Sequence, residues 1–327
     1  MSLYNVLVSM PITPEYQRRL RAAVPRAQVS FQRFEELGDT QLAAFDAVVG
    51  NPDKETITKL TNIKFLQLIS SGVAAEYVTL GRERPDLMLC SASGAYGQAI
   101  SEHMVAALLM LMKRLHEYRD AMKQAAWESR GSVETPLGKT VLVVGAGSIG
   151  TAFAKLMQKL GSKTIGLRRQ TGGEMDGFDE LHTIDQLDAL MPQADVVALS
   201  LPETPATKGI MSAARFSLMK EGSYFLNVGR GSAVDQDALV RALESGHLAG
   251  ASIDVTVPEP LPKDHPLWQQ KNLLLTPHIS GYYHLQATHD AVVDIAARNL
   301  AAWPEGPFIS RVDYKTGYRE RPTDEGV

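Results

Sequence analysis

The sequence predicts an α/β protein with two doubly wound parallel sheets, one domain being inserted into the other. Three observations lead to this expectation. Short apolar segments alternate with helical or turn-rich segments, which is typical of parallel sheets with helices on both faces. A glycine-rich run begins at Gly145, near the middle of the chain. The length of 327 residues exceeds the size at which single hydrophobic cores stop growing, so two domains are expected.

The first series of strands precedes residue 98. Its apolar segments are residues 6–8, 29–31, 47–49, 65–69 and 87–90. A helical pattern without proline or glycine follows over residues 98–127, and its apolar stripe includes Met104, Leu108, Leu111 and Leu115. At about 45 Å by the rise per residue, such a helix could bridge domains or pair with a partner chain.

The second series contains six predicted strands, at residues 141–144, 164–167, 195–201, 223–228, 251–255 and 273–276. Six strands with intervening helices fit one doubly wound domain. Another helix is expected after Gly281, ending near Ala302. The tail is too short to form a domain alone, so we expect it to return to the first domain. The predicted domains are therefore residues 1–97 with 286–327, and residues 98–285.

The glycine run predicts a dinucleotide site. An apolar strand leads into Gly145-Ala146-Gly147-Ser148-Ile149-Gly150, and a helical pattern follows. The first glycine permits the turn, the second lets backbone N–H groups approach a pyrophosphate, and the third lets helix and strand pack closely. The helix N-terminus then faces the phosphate charge. The flanking strand and helix favour a cofactor loop over a simple turn.

Composition and charge argue against several classes of protein. The formal net charge of −4 gives no reason to expect a nucleic-acid partner. The longest apolar run, residues 104–112, is too short to span a bilayer, and no basic segment marks a secretory signal. The single cysteine, Cys90, excludes an intrachain disulfide framework and is expected to pack within a strand. We therefore expect a cytoplasmic protein without a membrane partner.

Four motifs after the glycine run carry a resemblance to a known family. They are ADVVALSLP at residues 194–202, NVGRG at 227–231, DVTVPEP at 254–260 and TPHISG at 276–281. In this order, at strand ends, they strongly resemble the D-isomer-specific 2-hydroxyacid dehydrogenases, and the match covers most of residues 65–318. The resemblance implies a Rossmann dinucleotide-binding domain inserted in a flavodoxin-like substrate domain, and a homodimer. It also implies hydride transfer between a nicotinamide cofactor and a small 2-oxoacid or D-2-hydroxyacid.

Three residues suit that chemistry. Reduction of a 2-oxoacid requires a hydride for the carbonyl carbon, a proton for its oxygen and a cation for the carboxylate. Arg230 is the expected cation, because a guanidinium is always charged and binds carboxylates in a two-pronged geometry. His278 is the expected proton donor, since histidine titrates near neutrality. Glu259 is expected to hydrogen-bond His278, orient its ring and favour the protonated form.

Each of the three residues also has an ordinary explanation, as a surface charge or a turn position. Together, at the strand ends where open α/β sheets bind ligands, they indicate a catalytic trio facing the cleft between the domains. The other histidines lack such context, and no metal-ligand cluster is apparent, so no metal is expected.

The resemblance also implies ligand contacts. The segment SSGVAAE at residues 70–76 matches the family's substrate loop, whose backbone N–H groups bind the carboxylate, with Val73 and Ala74 as candidates beside Arg230 and His278. Ala74 stands for a usual glycine and Glu76 for a usual aspartate, which leaves a plain strand-to-helix turn as the alternative. Asp254 is expected beside the nicotinamide carboxamide. The full set of expected cofactor contacts is Gly145, Gly147, Ser148, Ile149, Gly150, Arg168, Arg169, Leu201, Pro202, Thr207, Val228, Gly229, Arg230, Asp254, His278 and Gly281.

The end of the second strand of the dinucleotide domain indicates which cofactor is bound. In NAD-preferring members a carboxylate there accepts hydrogen bonds from the adenosine ribose, but here the position falls at Arg168. An arginine can instead pair with a 2′-phosphate, and residues 171–173 are expected to close over it. NADP(H) is therefore favoured over NAD(H), in a reductase of glyoxylate, hydroxypyruvate or a related 2-oxoacid. The alternative is that Arg168 and Arg169 are two solvated charges beyond a strand.

Other functions on the same fold remain as alternatives. A phosphoglycerate dehydrogenase is disfavoured because no extra regulatory domain fits after residue 327, although short versions exist. Formate dehydrogenases resemble the fold but carry glutamine where this chain has Glu259. A non-enzymatic NAD(P)-sensing scaffold can keep the catalytic trio, although no interaction tail is evident.

Overall fold

A computed structural model describes residues 4–170 and 175–320 of the chain. Its internal contacts divide the chain into two units, Met1–Tyr96 with Leu285–Val327, and Gly97–His284. The second unit therefore interrupts the first along the sequence. No helix within the two described ranges is long and apolar enough to cross a membrane.

Within the described residues, the strands in chain order are β1 (Tyr4–Ser9), β2 (Ala27–Phe31), β3 (Ala47–Gly50), β4 (Phe65–Gln67), β5 (Met88–Cys90), β6 (Thr140–Val144), β7 (Lys163–Arg168), β8 (Glu180–Thr183), β9 (Val196–Leu199), β10 (Ser223–Asn227), β11 (Leu248–Ile253), β12 (Leu273–Leu275), β13 (Val312–Asp313) and β14 (Tyr318–Arg319). The α-helices are α1 (Pro14–Ala23), α2 (Asp39–Leu42), α3 (Lys54–Lys59), α4 (Ala75–Glu83), α5 (Gly97–Met112), α6 (Leu115–Lys123), α7 (Ser148–Lys159), α8 (Leu187–Leu190), α9 (Ala213–Leu218), α10 (Gln236–Glu244) and α11 (Gln286–Ala302).

The first unit is built on a parallel sheet in the order β2-β1-β3-β4-β5. Successive residues of a strand face opposite sides of the sheet, so Leu7 lies in one apolar core while Val6 and Val8 lie in the other. Both faces are buried, as expected of a parallel sheet covered by helices.

The end of the chain packs on this first unit. Buried Asn299 of α11 donates from Nδ2 to Oε1 of Gln67, at 2.6 Å, and exchanges two hydrogen bonds with the backbone of Ile309. Arg311 forms an antiparallel bridge with Cys90. Burial raises the pKa of the Cys90 thiol to about 12, so the thiol stays protonated and serves packing. The β13–β14 hairpin was not predicted because its two-residue strands are too short for a detectable alternation.

The second unit is built on a parallel sheet in the order β12-β11-β10-β9-β6-β7-β8. The strand order reverses beside β6, which creates a topological switch point at its carboxyl end. Strand β8 is an addition to the six predicted strands. Its residues, Glu180 to Thr183, are all half-exposed at the sheet edge, so their polar sequence lacks the apolar pattern of the other strands. The predicted α/β class with two parallel sheets is confirmed.

The predicted single helix over residues 98–127 is wrong. The chain forms α5 and α6 instead, because Arg114 adopts a left-handed backbone conformation with a φ of 55°. Its guanidinium is paired with Glu117 at 2.8 and 2.9 Å, which stabilises the break. Glycine or asparagine would have indicated a left-handed residue at this position. An arginine does not, so the hydrophobic pattern could not predict the end of the helix. As a result Leu111 is buried on α5, whereas Leu115, at the start of α6, is 51% exposed.

Candidate active site

The glycine loop joins β6 to α7 at the switch point of the second sheet. The N–H groups of Gly145 and Ala146 both donate to the carbonyl of Leu167, at 3.0 and 2.8 Å. The carbonyl of Gly145 in turn accepts a hydrogen bond from Ser200 Oγ at 2.9 Å. The loop is therefore held between the carboxyl ends of β7 and β9.

Two glycines of this loop differ in what surrounds them. A Cβ atom added to Gly150 would overlap the carbonyl oxygen of Gly145 and lie 2.8 Å from Val143, so the packing of α7 on β6 requires a glycine there. A Cβ atom at Gly147 would meet no described atom within 4 Å. Its backbone is also extended, with a φ of −94°. Protein packing does not explain Gly147, whereas the close approach of a pyrophosphate does.

Helix α7 begins directly after Gly147, and no side chain of the described residues caps it. The first N–H groups of a helix have no partner within the helix, and they carry the positive end of its dipole. Ser148 and Ile149 supply the first of these groups. The loop and the helix start therefore fit a dinucleotide pyrophosphate.

Arg168 is the last residue of β7 and follows Leu167, which binds the glycine loop. It is half-buried and pairs in register with Thr183 of β8, while Arg169 is exposed. The Arg168 guanidinium thus belongs to the residue after Leu167, whose carbonyl binds the glycine loop. In this fold the adenosine ribose binds at that strand end. The expected closure over a phosphate involves residues 171–173, which lie outside the described residues.

Arg230 follows β10 and is held by its neighbours in the sequence. Buried Asn227 donates from Nδ2 to the carbonyl of Arg230 at 3.0 Å and accepts from the N–H of Gly229 at 3.0 Å. A Cβ atom at Gly229 would lie 2.6 Å from the carbonyl oxygen of Leu201, and one at Gly231 would overlap the carbonyl group of Thr256. The backbone on either side of Arg230 is therefore pressed against two other loops.

The environment of Arg230 is electrostatically unusual. Burial lowers the pKa of its guanidinium, and the negative charges of Glu203 and Glu259 oppose that shift. Arginine remains charged in proteins, so the site presents a partly desolvated cation. Glu203 follows Pro202 in the loop after β9, and its position near Arg230 could not be predicted because it lies outside the four motifs.

His278 and Glu259 are brought together as predicted from the motifs. The Nδ1 atom of His278 lies 2.8 Å from Oε2 of Glu259, and both side chains are partly exposed. The other carboxylate oxygen of Glu259 accepts the N–H of Thr256 at 3.0 Å, which fixes its orientation. A carboxylate only accepts hydrogen bonds, so Nδ1 is the donor and Nε2 is left for another partner.

Asp254 lies directly after β11 and is buried, with 2% of its surface exposed. Its Oδ1 accepts from Ile279 N at 2.9 Å and from the Thr276 hydroxyl at 2.5 Å, and its Oδ2 accepts from Ser280 N at 2.9 Å. Both carboxylate oxygens therefore bind the segment around His278. Asp254 is expected beside the nicotinamide, whereas the sequence predicts no role for Thr276, because a motif does not reveal side-chain direction.

The other expected cofactor contacts lie in the loops after β9, β10 and β12. Leu201 and Pro202 follow β9, and the buried Thr207 hydroxyl donates to the carbonyl of Pro202 at 2.7 Å. Val228 follows β10 and donates its N–H to Leu199 at 3.1 Å. Gly281 comes directly after Ser280, which is bound to Asp254. These loops start at the carboxyl ends of parallel strands, where such sheets bind ligands.

The expected substrate loop belongs to the first unit. Val73 packs against the apolar core there, while exposed Ala74 precedes α4 without a side-chain cap. The Ser70 hydroxyl donates to the carbonyl of Gly72 at 2.8 Å, which shapes the preceding turn. Within the described parts of the chain, no side chain caps the first N–H groups of α4, as a backbone anion site needs.

Comparison with known proteins is consistent with this geometry. Residues 105–280 match the family profile of the D-isomer specific 2-hydroxyacid dehydrogenase, NAD binding domain. The chain is 29% identical over 315 residues to glyoxylate/hydroxypyruvate reductase A of Serratia proteamaculans, with 93% of this chain and 96% of that protein covered.

Two solved structures are similar over nearly the whole chain. One is a D-isomer specific 2-hydroxyacid dehydrogenase family protein from Aeromonas salmonicida, with a TM-score of 0.84, 32% identity, and coverage of 96% of this chain and 100% of that chain. The other is an NADPH-dependent glyoxylate/hydroxypyruvate reductase from Sinorhizobium meliloti in complex with NADP and sulfate. It has a TM-score of 0.79 and 25% identity, and the match covers 96% of this chain and 100% of that chain.

Proposed function

This chain belongs to the D-isomer specific 2-hydroxyacid dehydrogenase family, and from that membership we propose that it is an NADP(H)-preferring reductase of small 2-oxoacids such as glyoxylate or hydroxypyruvate. The observation that carries the proposal is the pairing of His278 with Glu259 in the unit that also holds the desolvated Arg230. Similarity to glyoxylate/hydroxypyruvate reductases supports the choice of substrate class.

In this proposal Arg230 binds the substrate carboxylate with its guanidinium fork. Partial burial strengthens that ion pair, because fewer water molecules compete for the charge. The glycines on both sides keep the backbone of Arg230 in place, so the guanidinium needs little reorganisation when substrate binds. Backbone N–H groups at Val73 and Ala74 are the proposed second contact for the carboxylate, in the unit that we assign as the substrate domain.

His278 is the proposed proton donor. Its Nδ1 is held by Glu259, which leaves Nε2 as the atom that would give a proton to the carbonyl oxygen. The carboxylate of Glu259 holds the ring in the orientation from which that proton would be given. The nicotinamide cofactor, when bound, supplies the hydride for the carbonyl carbon. The first test is to follow NADPH absorbance with a panel of 2-oxoacids; NADPH binding without turnover of any acid would favour the non-enzymatic scaffold.

The dinucleotide is proposed to lie along the second unit, with its pyrophosphate at Gly147 and the start of α7. Arg168 would then pair with the 2′-phosphate that distinguishes NADP(H) from NAD(H). The position of Arg168, one residue after the carbonyl that anchors the glycine loop, supports this assignment.

Replacing Arg168 by aspartate is expected to reverse the cofactor preference. The ratio of kcat/KM for NADPH to that for NADH should fall by about 10- to 100-fold, because a charge-assisted pair is lost and a ribose acceptor is introduced. Steady-state rates with both cofactors at several concentrations measure the ratio. Arg241→Asp, at an exposed site on α10, is the matched charge-reversal control and should leave the ratio unchanged. An unchanged ratio in Arg168→Asp would exclude its role in phosphate recognition.

We also propose that the protein is a homodimer that buries the segment after α6. Five large apolar side chains in and after this helix are more than half exposed: Leu115 at 51%, Met122 at 74%, Trp127 at 100%, Val133 at 51% and Leu137 at 68%. Concentrated apolar exposure of this kind marks association surfaces, in which methionine and tryptophan are enriched.

Trp127→Glu is expected to convert the dimer to a monomer at micromolar concentration, because it places a charge where an aromatic side chain would be buried. Light scattering coupled to gel filtration measures the molar mass. Leu218→Glu, an equally charged change at a 39% exposed site on α9, should leave the mass unchanged. A Trp127→Glu protein with the same mass as the wild type would rule out this surface.

A further inference from the structure

We propose that Thr276 is a positioning residue for His278, and that it acts through the carboxylate of Asp254. The inference rests on the proposed function, since it concerns the proton donor assigned above. The Thr276 carbonyl also accepts the N–H of His278 at 3.1 Å, but this backbone contact does not involve the hydroxyl on which the proposal rests.

The His278 backbone needs support from its surroundings. Its φ of 54° lies in the left-handed region, which non-glycine residues seldom occupy and which persists only where neighbouring groups enforce it. The direction of the ring toward Glu259 depends on that backbone conformation, because the backbone sets the direction of the Cα–Cβ bond about which the ring rotates. A change in φ would move Nδ1 away from the 2.8 Å contact with the carboxylate.

Much of the support comes from Asp254. Three consecutive N–H groups converge on it: His278 donates to its carbonyl at 2.8 Å, Ile279 to Oδ1 at 2.9 Å and Ser280 to Oδ2 at 2.9 Å. Asp254 is itself tied to the sheet, since its N–H donates to the carbonyl of Asn227 at 3.0 Å. Two of these three bonds, from Ile279 and Ser280, therefore depend on the rotation of one buried carboxylate.

Thr276 fixes that rotation. Its hydroxyl donates to Oδ1 of the buried Asp254 carboxylate at 2.5 Å, in a charge-assisted hydrogen bond. Without the hydroxyl, the Ile279 N–H is the one donor to Oδ1 that remains among the described residues, and the carboxylate is free to turn toward other donors. A small displacement of His278 then follows, and displacements of about 1 Å can cost up to 10²-fold in rate.

The test uses Thr276→Val, which removes the hydroxyl at constant shape, and Thr276→Ser, which keeps it. We expect kcat for glyoxylate with NADPH to fall about tenfold or more in the valine variant, with KM for NADPH changed less than about twofold. The serine variant should return kcat to within about threefold of the wild type. Thr288→Val is the matched control: it is buried in α11, and its hydroxyl has no hydrogen-bond partner among the described residues.

Amide hydrogen exchange supplies a second measurement that does not depend on turnover. Exchange at Ile279 and Ser280 should be about tenfold faster in Thr276→Val and near the wild-type rate in Thr276→Ser. If the valine variant does not fold, Thr276→Ala replaces it. A valine or alanine variant with a lower Tm but unchanged kcat and unchanged exchange would overturn the proposal. A wild-type protein that reduces no 2-oxoacid would instead contradict the proposed function, and the exchange rates would still decide the role of Thr276.

Discussion

Replacing His278 by asparagine is expected to lower kcat for 2-oxoacid reduction by about 10²- to 10⁴-fold, which is the usual contribution of a positioned acid. Asparagine tolerates the left-handed backbone better than most residues, so the loop should keep its shape while losing the proton donor. Steady-state rates with NADPH and glyoxylate measure the loss, and cofactor fluorescence measures NADPH binding. Binding should change little, because the glycine loop and Arg168 are untouched.

The matched control for this change is His247→Asn, on the turn after α10, whose ring contacts the carbonyl of Phe216 at 3.0 Å. It should leave kcat unchanged. A His278→Asn protein with wild-type turnover would show that another group protonates the carbonyl oxygen.

Arg230→Lys is expected to lower kcat/KM for glyoxylate by about 10²- to 10³-fold, although the positive charge is kept. An ammonium cannot reproduce the two parallel hydrogen bonds of a guanidinium, and a partly buried ion pair depends on that geometry. Rates measured over a range of glyoxylate concentrations should show a higher KM together with a lower kcat. KM for NADPH should stay within about twofold of the wild-type value.

A substrate comparison separates carboxylate binding from general damage to the site. Glycolaldehyde resembles glyoxylate in size but lacks the carboxylate, so its slow reduction should be affected far less by Arg230→Lys. The preference of the wild type for glyoxylate over glycolaldehyde should therefore shrink in the variant. Equal losses with both substrates would mean that Arg230 does not recognise the carboxylate.

Much of the fold could be predicted from the sequence because most strands are buried. Strand β9 is apolar throughout, β6 is apolar from Val141 to Val144, and the glycine run follows β6 directly. Strand β8 was not predicted, because half-exposed residues at a sheet edge need not follow an apolar pattern. The break between α5 and α6 could not be predicted, because the left-handed conformation of Arg114 depends on the pairing of its side chain with Glu117.

The candidate site also contains residues that the sequence predicts and residues that it does not. Arg230, Glu259 and His278 could be proposed from the sequence, because each lies in a motif and has the side-chain chemistry that the expected reaction requires. The contacts of Asn227 and Thr276 could not, although both lie in the same motifs. Their roles depend on which backbone groups come close once the strands pair, and a linear pattern does not contain those distances.

The glycines that flank Arg230 set a limit on how this enzyme could be redesigned. Gly229 faces backbone atoms of Leu201, and Gly231 faces the backbone of Thr256. Backbone atoms cannot rotate away as a side chain can, so no second substitution could easily make room for a larger residue at either position. Mutant libraries that seek new substrates should therefore tolerate little change at 229 and 231, and any altered acid preference would have to arise from other loops.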